Sequence, residues 1–127
     1  MPSEIVIPLD NKPGALAKVT ETLGKAGVNL EGIGYVTGAA RGVLRIIADD
    51  TDAALAALKK AKVKAKPARE VLEVRLSDVP GALADVSRKL AKARVNIDAF
   101  YVVGAEGGQL RCVFAVDKLD KARAAVG

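Results

Sequence analysis

The chain carries one segment twice. Residues 11–19 read NKPGALAKV and residues 78–86 read DVPGALADV, an offset of 67 residues in a chain of 127. The match continues into the apolar positions on both sides of these segments. A repeat at this spacing indicates an internal duplication, and so two copies of one small fold. We expect a first module over residues 1–68 and a second, C-terminally shortened module over residues 69–127.

Each copy begins with a pattern typical of a strand followed by a helix. Apolar and polar residues alternate over residues 4–9 and 71–76, which predicts a strand with one buried face. An apolar stripe at helical spacing follows. Pro13 and Pro80 suit the first helical turn, because proline has no amide hydrogen to lose there. Gly27 predicts the end of the first helix.

The rest of each copy predicts a β-hairpin and a second helix. Two runs with strand-like patterns flank a glycine-containing turn in each copy. An Ala- and Leu-rich helix follows, with Thr51 or Asp52 as its N-cap in the first copy and a start near Lys118 in the second. The predicted hairpin strands span residues 28–37, 43–48, 95–104 and 110–116, and a fourth strand of the first copy spans residues 63–66.

The predicted element order is βαββαβ, an α+β arrangement of the ferredoxin-like kind with two helices on one face of an antiparallel sheet. The second copy reaches Gly127 directly after its second helix, so we expect its module to lack the last strand. An unpaired sheet edge favours pairing with another strand, either between modules or between chains. We therefore expect a homodimer.

Composition disfavours catalysis. The chain has no histidine, which is the commonest general base and the favoured nitrogen ligand of metals. Its single cysteine, Cys112, has no partner for an intramolecular disulfide or a cysteine-based zinc site. The sequence has no phosphate-binding loop or paired-carboxylate motif. We expect no enzymatic activity, no cofactor and no metal; a small enzyme on this scaffold is the third hypothesis in order of preference.

Charge and hydropathy bear on possible partners. The net charge of +5 suggests nucleic acid, yet two Phe, two Tyr and no Trp offer few surfaces for base stacking. Basic and apolar residues alternate within residues 59–69, which favours a solvated edge strand over an anion-binding patch. No apolar run approaches the roughly 20 residues that cross a bilayer, so we expect a cytoplasmic protein with no membrane partner.

The repeated segments resemble the ACT family. In the first copy a strand, DNKPGAL at residues 10–16, a helix and VNL at residues 28–30 are similar to an ACT domain. In the second copy SDVPGAL at residues 77–83 and VNID at residues 95–98 match the same pattern. The resemblance implies tandem ferredoxin-like modules that bind a small effector, commonly an amino acid, at the interface between two modules. It implies no catalysis by the module.

The resemblance also implies where the effector lies. It would contact the loop from first strand to first helix, and the start of the second strand, often of the neighbouring module, would close the site. By position this selects Asn11, Lys12, Pro13, Gly14, Ala15, Leu16, Asn29 and Leu30 in the first copy, and Asp78, Val79, Pro80, Gly81, Ala82, Leu83, Asn96 and Ile97 in the second.

The two loops also suit an amino acid on chemical grounds. A helix N-terminus presents unpaired amides to a carboxylate, and Gly14 and Gly81 permit close approach of the backbone. Asn11 offers both a donor and an acceptor, whereas Asp78 offers only acceptors and suits an ammonium group. Helix capping by Asn11 and Asp78 is the competing interpretation.

The leading hypothesis is a stand-alone regulatory protein that binds an amino acid or a similar small effector. It would act on a regulated enzyme or transcription factor in trans. A nucleic-acid-binding protein of ferredoxin-like fold, which the composition disfavours, and a pure protein-interaction module are the alternatives. Arg45 and Arg111 occupy matched places in the third strands, and we expect each to pair with a carboxylate across a module interface before contact with an acidic effector.

Overall fold

The computed structural model describes residues 2–127; Met1, with which the first predicted module begins, lies outside the described residues. Contacts divide the chain into Ser3–Arg69, here called module 1, and Glu70–Gly127 with Pro2, here called module 2. Module 1 contains β1 (Ser3–Asp10), α1 (Ala15–Lys25), β2 (Leu30–Thr37), β3 (Arg41–Ala48) and α2 (Thr51–Lys60), and the two-residue β4 (Arg69–Glu70) lies at the boundary. Module 2 contains β5 (Leu72–Ser77), α3 (Ala82–Lys92), β6 (Ile97–Glu106), β7 (Gln109–Val116) and α4 (Leu119–Val126).

Module 1 has a sheet of strand order β2-β3-β1-β4, in which β3 is antiparallel to both β1 and β2. The period-two pattern of the sequence sets its buried face, because Ile5 and Ile7 of β1 lie opposite Ile46 and Leu44 of β3. Side chains of α1 and α2 cover this face and complete the core. The buried helix residues are Val19, Leu23, Ala54 and Leu58.

Module 2 repeats this arrangement with three strands, in the order β5-β7-β6. Leu72 lies opposite Phe114, and Leu76 lies opposite Leu110, on the face that α3 and α4 cover. Cys112 lies in this core, and burial raises the pKa of its thiol above the ordinary value. The prediction of tandem ferredoxin-like modules, the second without its last strand, is therefore confirmed for residues 2–127. No helix within this range is long and apolar enough to cross a membrane.

The fourth strand of module 1 is not where the sequence predicted it. Residues 63–66 are extended but belong to no strand. A single backbone hydrogen bond, from the Lys66 N–H to the Val6 carbonyl oxygen at 2.9 Å, holds this segment beside β1. Backbone groups two residues apart point to the same edge of a strand, so Pro8 faces the segment and has no N–H to donate to it. The ladder cannot continue there, and the predicted strand over residues 63–66 is wrong.

The second helices begin close to their predicted positions, with one correction. The N-cap of α2 is Asp50, and neither Thr51 nor Asp52 has that role. The Asp50 carboxylate accepts a hydrogen bond from the Ala53 N–H at 3.0 Å, which satisfies one of the free amides of the first turn. The start of α4 agrees with the prediction, because Lys118 is its N-cap.

Two cross-strand ion pairs account for the matched arginines. Arg45 Nη1 lies 2.8 Å from Glu4 Oε1, and Glu4 is fully buried while the Arg45 side chain is 23% exposed. Arg111 Nη2 lies 3.1 Å from Glu73 Oε1, where both side chains are about one-third exposed. Both arginines thus pair with carboxylates, as expected, but each partner lies in the same module and not across a module interface. The two pairs differ in their contact with water.

Replacing Arg45 by methionine should lower the free energy of unfolding by about 3 kcal/mol, because it removes the cation beside a fully buried carboxylate. The matched Arg111→Met should cost no more than about 1 kcal/mol, because water screens the Glu73 pair. Urea titration followed by circular dichroism measures both. Equal losses in the two variants would show that burial does not govern the Glu4 pair.

The first helices of the two modules end at matched positions with different residues. Gly27 follows α1 with φ 74°, as predicted for a glycine that ends a helix, and the Val28 N–H donates to the Leu23 carbonyl. Arg94 occupies the matched place after α3 with φ 60°, and the Val95 N–H donates to the Leu90 carbonyl. A non-glycine residue in this left-handed region carries a steric cost that Gly27 avoids.

The duplication therefore supplies a reciprocal test of this cost. Arg94→Gly should raise the free energy of unfolding by about 1 kcal/mol, and Gly27→Arg should lower it by about the same amount. Thermal and urea unfolding of the two single variants measure the changes. Changes of the same sign in both variants would contradict the assignment of the cost to backbone conformation.

Candidate functional site

The turn from β1 to α1 leaves the N-terminus of α1 open. Gly14 is the N-cap with φ 87°, and no side chain caps the helix. The helix begins at Ala15, so Pro13 lies in the turn before it. The prediction that Pro13 lies in the first helical turn is wrong. Neither the Leu16 N–H nor the Ala17 N–H has a backbone or side-chain partner among the described residues. These amides and the helix dipole are available to an anionic group.

Module 2 has the same turn. Gly81 is the N-cap of α3 with φ 89°, no side chain caps the helix, and Pro80 again precedes it. The Leu83 and Ala84 N–H groups also have no partner within residues 2–127. The predicted capping roles of Asn11 and Asp78 are therefore wrong, because a left-handed glycine stands between each of them and its helix.

Asn11 and Asp78 differ in what their side chains do. The Asn11 Nδ2 donates to the Gly38 carbonyl at 2.8 Å, and its backbone N–H donates to Ala40 at 3.0 Å, so Asn11 ties the loop to the β2–β3 turn. The Asp78 N–H donates to Gly108 in the same way, at 2.9 Å. A carboxylate cannot donate to a carbonyl, and the exposed Asp78 side chain has no partner among the described residues.

The loop of module 1 borders a basic cavity of about 350 Å³. Lys12 and Ala15 of the predicted set line it, together with Lys18 of α1 and Lys64. The Asp10 carboxylate, which also lines the cavity, lies 3.5 Å from Arg41. Lys18 and Lys64 were not predicted. Lys18 lies one helical turn after Ala15 and could have been found from that spacing, whereas Lys64 reaches the cavity only through the tertiary fold.

The loop of module 2 is apolar where that of module 1 is basic. Val79 stands at the place of Lys12 and is 59% exposed, and Leu83 at the start of α3 is 41% exposed. Asp85 in the first turn of α3 forms an ion pair with Arg88. The two loops share a backbone shape and differ in charge and polarity.

The predicted asparagines at the second strands lie far from these loops. The Asn29 N–H donates to Asp49 Oδ1 at 3.1 Å, directly before β2 begins. The Asn96 N–H likewise donates to Asp117 Oδ1 at 2.9 Å before β6. Asn11 contacts the far end of β2, and a strand of eight residues spans about 25 Å. One module therefore does not bring its loop and its asparagine onto the same small ligand.

The predicted set thus falls into two groups in each module. The loop residues are contiguous at one end of the sheet, and the first residues of β2 and β6, Leu30 and Ile97, are half-buried against the cores at the other end.

The aromatic residues do not form a base-stacking platform within residues 2–127. Phe114 is buried on the helix-covered face and packs on Phe100 with ring centroids 4.7 Å apart.

A family model describes this arrangement. The model of the ACT domain pair matches residues 3–126, and the chain therefore belongs to the ACT domain pair family. The ACT domain pair is a regulatory module. A search among proteins of curated function finds no match.

Solved structures share the fold over nearly the whole chain. Protein BT0572 from Bacteroides thetaiotaomicron is 32% identical, covers 97% of this chain and 84% of its own, and superposes with a TM-score of 0.87. The regulatory subunit of aspartate kinase from Thermus thermophilus, in its ligand-free form, is 21% identical over 98% of this chain and 87% of its own, with a TM-score of 0.73. The corresponding Thermus flavus subunit is 20% identical over 98% and 90%, with a TM-score of 0.67.

The left-handed turn can be tested within one helix. Gly14→Ala should lower the free energy of unfolding by about 1 kcal/mol, because alanine at φ 87° is strained although its Cβ would meet open space. Gly24→Ala, inside α1 and also open, should raise that free energy by about 0.5–1 kcal/mol. Urea unfolding compares the two, and a neutral or stabilising Gly14→Ala would contradict the assigned turn.

Proposed function

We propose that this protein is a regulatory ACT pair that binds an amino acid through its strand-to-helix loops and carries no active site of its own. The observation that supports the proposal is the repetition, in both modules, of a left-handed glycine followed by an uncapped helix N-terminus. A capping side chain at either position would be strained, because glycine alone adopts this φ readily. The turn therefore leaves the amides open in both modules, where a ligand can reach them.

The loop of module 2 suits all three parts of an amino acid. The free N–H groups of Leu83 and Ala84 can bind its carboxylate. Asp78, whose carboxylate has no partner among the described residues, can bind its ammonium group. Val79 and Leu83 offer an exposed apolar surface to its side chain. We therefore favour an amino acid with an apolar side chain at this loop.

The loop of module 1 suits a more anionic ligand. Its helix has no acidic residue in the first turn, and Lys12 and Lys18 line the adjoining cavity. The side-chain amide of Asn11 donates its hydrogen bond to the Gly38 carbonyl, so Asn11 contributes mainly to the shape of the loop. The two loops are accordingly proposed to differ in effector or in affinity.

Closure of either site is proposed to require a module of a second copy. The exposed apolar residues Ile33 on β2 and Phe100 and Val102 on β6 lie on the helix-covered faces of edge strands. If such edges pair antiparallel between two copies, the start of one strand comes beside the end of the other. Asn29 or Asn96 of one copy would then approach the loop of its partner, which supports the proposed homodimer.

The proposed output is conformational. An effector held between modules would favour one arrangement of the dimer, and an enzyme or transcription factor that contacts the dimer in trans, in the cytoplasm, would respond to it. The response can be no larger than the difference in the effector's affinity for the two arrangements.

Thermal unfolding in the presence of each of the twenty amino acids tests the proposal. A ligand at a hundred times its dissociation constant should add about 2.7 kcal/mol and raise the melting temperature by several degrees. Asp78→Asn should abolish the shift for an amino acid that binds module 2, since it removes the charge that faces the ammonium group.

Glu21→Gln serves as the matched control, because Glu21 is an exposed carboxylate on α1 outside the loops. It should leave the shift unchanged. No shift with any amino acid, or a shift that Asp78→Asn and Lys12→Ala both leave intact, would refute binding at the loops.

A further inference from the structure

The positive charge of the chain is concentrated at one edge of module 1. Six of its twenty basic residues lie within residues 59–69, a stretch without an acidic residue. The fourteen others nearly balance the fifteen acidic residues. The net charge of +5 is therefore a local property of this edge and not of the whole surface.

The same edge offers unpaired backbone. The Lys66 N–H points toward β1 and bonds to Val6 at 2.9 Å, so the backbone groups of Ala65 point away from the sheet. The Ala65 N–H and carbonyl have no backbone partner within residues 2–127. An extended segment with outward-facing backbone can accept a further strand.

An apolar groove of about 660 Å³ lies beside this segment, between it and α2. Leu55 and Leu58 line it from α2, and Val63 and Ala65 line it from the extended segment. Lys59, Lys62 and Lys64 stand at its rim, and all three side chains are exposed. Lys64 and Lys66 alternate with Val63 and Ala65 along the segment, so a paired strand would meet basic and apolar residues at alternate positions.

We propose that this edge, residues 59–66 with the groove along α2, binds an extended acidic segment of a partner protein by strand addition. A strand paired with residues 63–66 would place every second side chain over the apolar groove and the intervening ones beside Lys64 and Lys66. The segment that fits alternates apolar and acidic residues. A second copy of this edge is excluded as occupant, because lysines would then face lysines across the strands.

The groove favours a protein partner over nucleic acid. Nucleic acid would use the lysines but would leave Leu55, Leu58 and Val63 without apolar contacts. No aromatic residue lines the groove to stack on a base. Val63 and Lys64 also line the cavity beside the loop of module 1, whereas Leu55, Leu58 and Ala65 line the groove alone.

Fluorescence anisotropy with labelled peptides of about ten residues tests the proposal. The probe alternates Val and Glu, and the comparison peptides alternate Ser and Glu or Val and Lys. The intact protein should bind the Val/Glu peptide best, with an affinity that falls as salt is raised. In the ¹⁵N-labelled protein, the amides of residues 63–66 should shift when this peptide is added.

Lys64→Glu with Lys66→Glu should weaken Val/Glu binding by about tenfold or more. The matched double variant Lys89→Glu with Lys92→Glu changes the net charge equally on exposed positions of α3 and should leave binding within about twofold. Circular dichroism confirms that both variants are folded.

Several outcomes would overturn the proposal. Equal binding of the Ser/Glu peptide would show charge attraction without use of the groove. Tighter binding of a mixed-sequence single-stranded oligonucleotide would identify a nucleic-acid surface instead. Absence of peptide binding, or equal losses in the two double variants, would remove the edge as a docking site.

Discussion

The left-handed turn at Gly14 and Gly81 is the constraint on which both modules depend. It lets the chain leave the sheet and enter a helix within a few residues, so that Val19 and Leu23, or Val86 and Leu90, return over the buried face of the sheet. The same conformation keeps Asn11 and Asp78 out of reach of their helices. A packing requirement thereby leaves two helix N-termini uncapped, and the proposed function uses those amides.

Duplication preserved the backbone of the two strand-to-helix loops while their side chains diverged. Lys12 corresponds to Val79, and the bond from the Asn11 side chain to the hairpin has no counterpart at Asp78 because a carboxylate has no hydrogen to donate. In each module the loop and the asparagine before the second strand lie about a strand length apart, about 25 Å. Each module thus keeps its loop and its asparagine apart, and under the proposed function a module of a second copy would bring them together.

Much of the fold could be predicted because burial follows periodicity. Ile5 and Ile7 alternate with outward residues, and Leu23 and Leu90 follow helical spacing, so strands and helices were found close to their observed bounds. The edge over residues 63–66 was not, because its pairing depends on Pro8 of a distant strand, which local alternation does not reveal.

The site was predictable only in part, since the loops follow from a local motif, whereas Lys64 joins them through tertiary contacts. Heteronuclear NMR of the ¹⁵N-labelled protein, titrated with an equimolar mixture of the twenty amino acids, tests the central claim most directly. If the open helix N-termini bind the effector carboxylate, the amides of Leu16 and Ala17, or of Leu83 and Ala84, shift most. If those amides stay unchanged while others shift, or if no amide shifts at millimolar concentrations, the loops are not the effector sites.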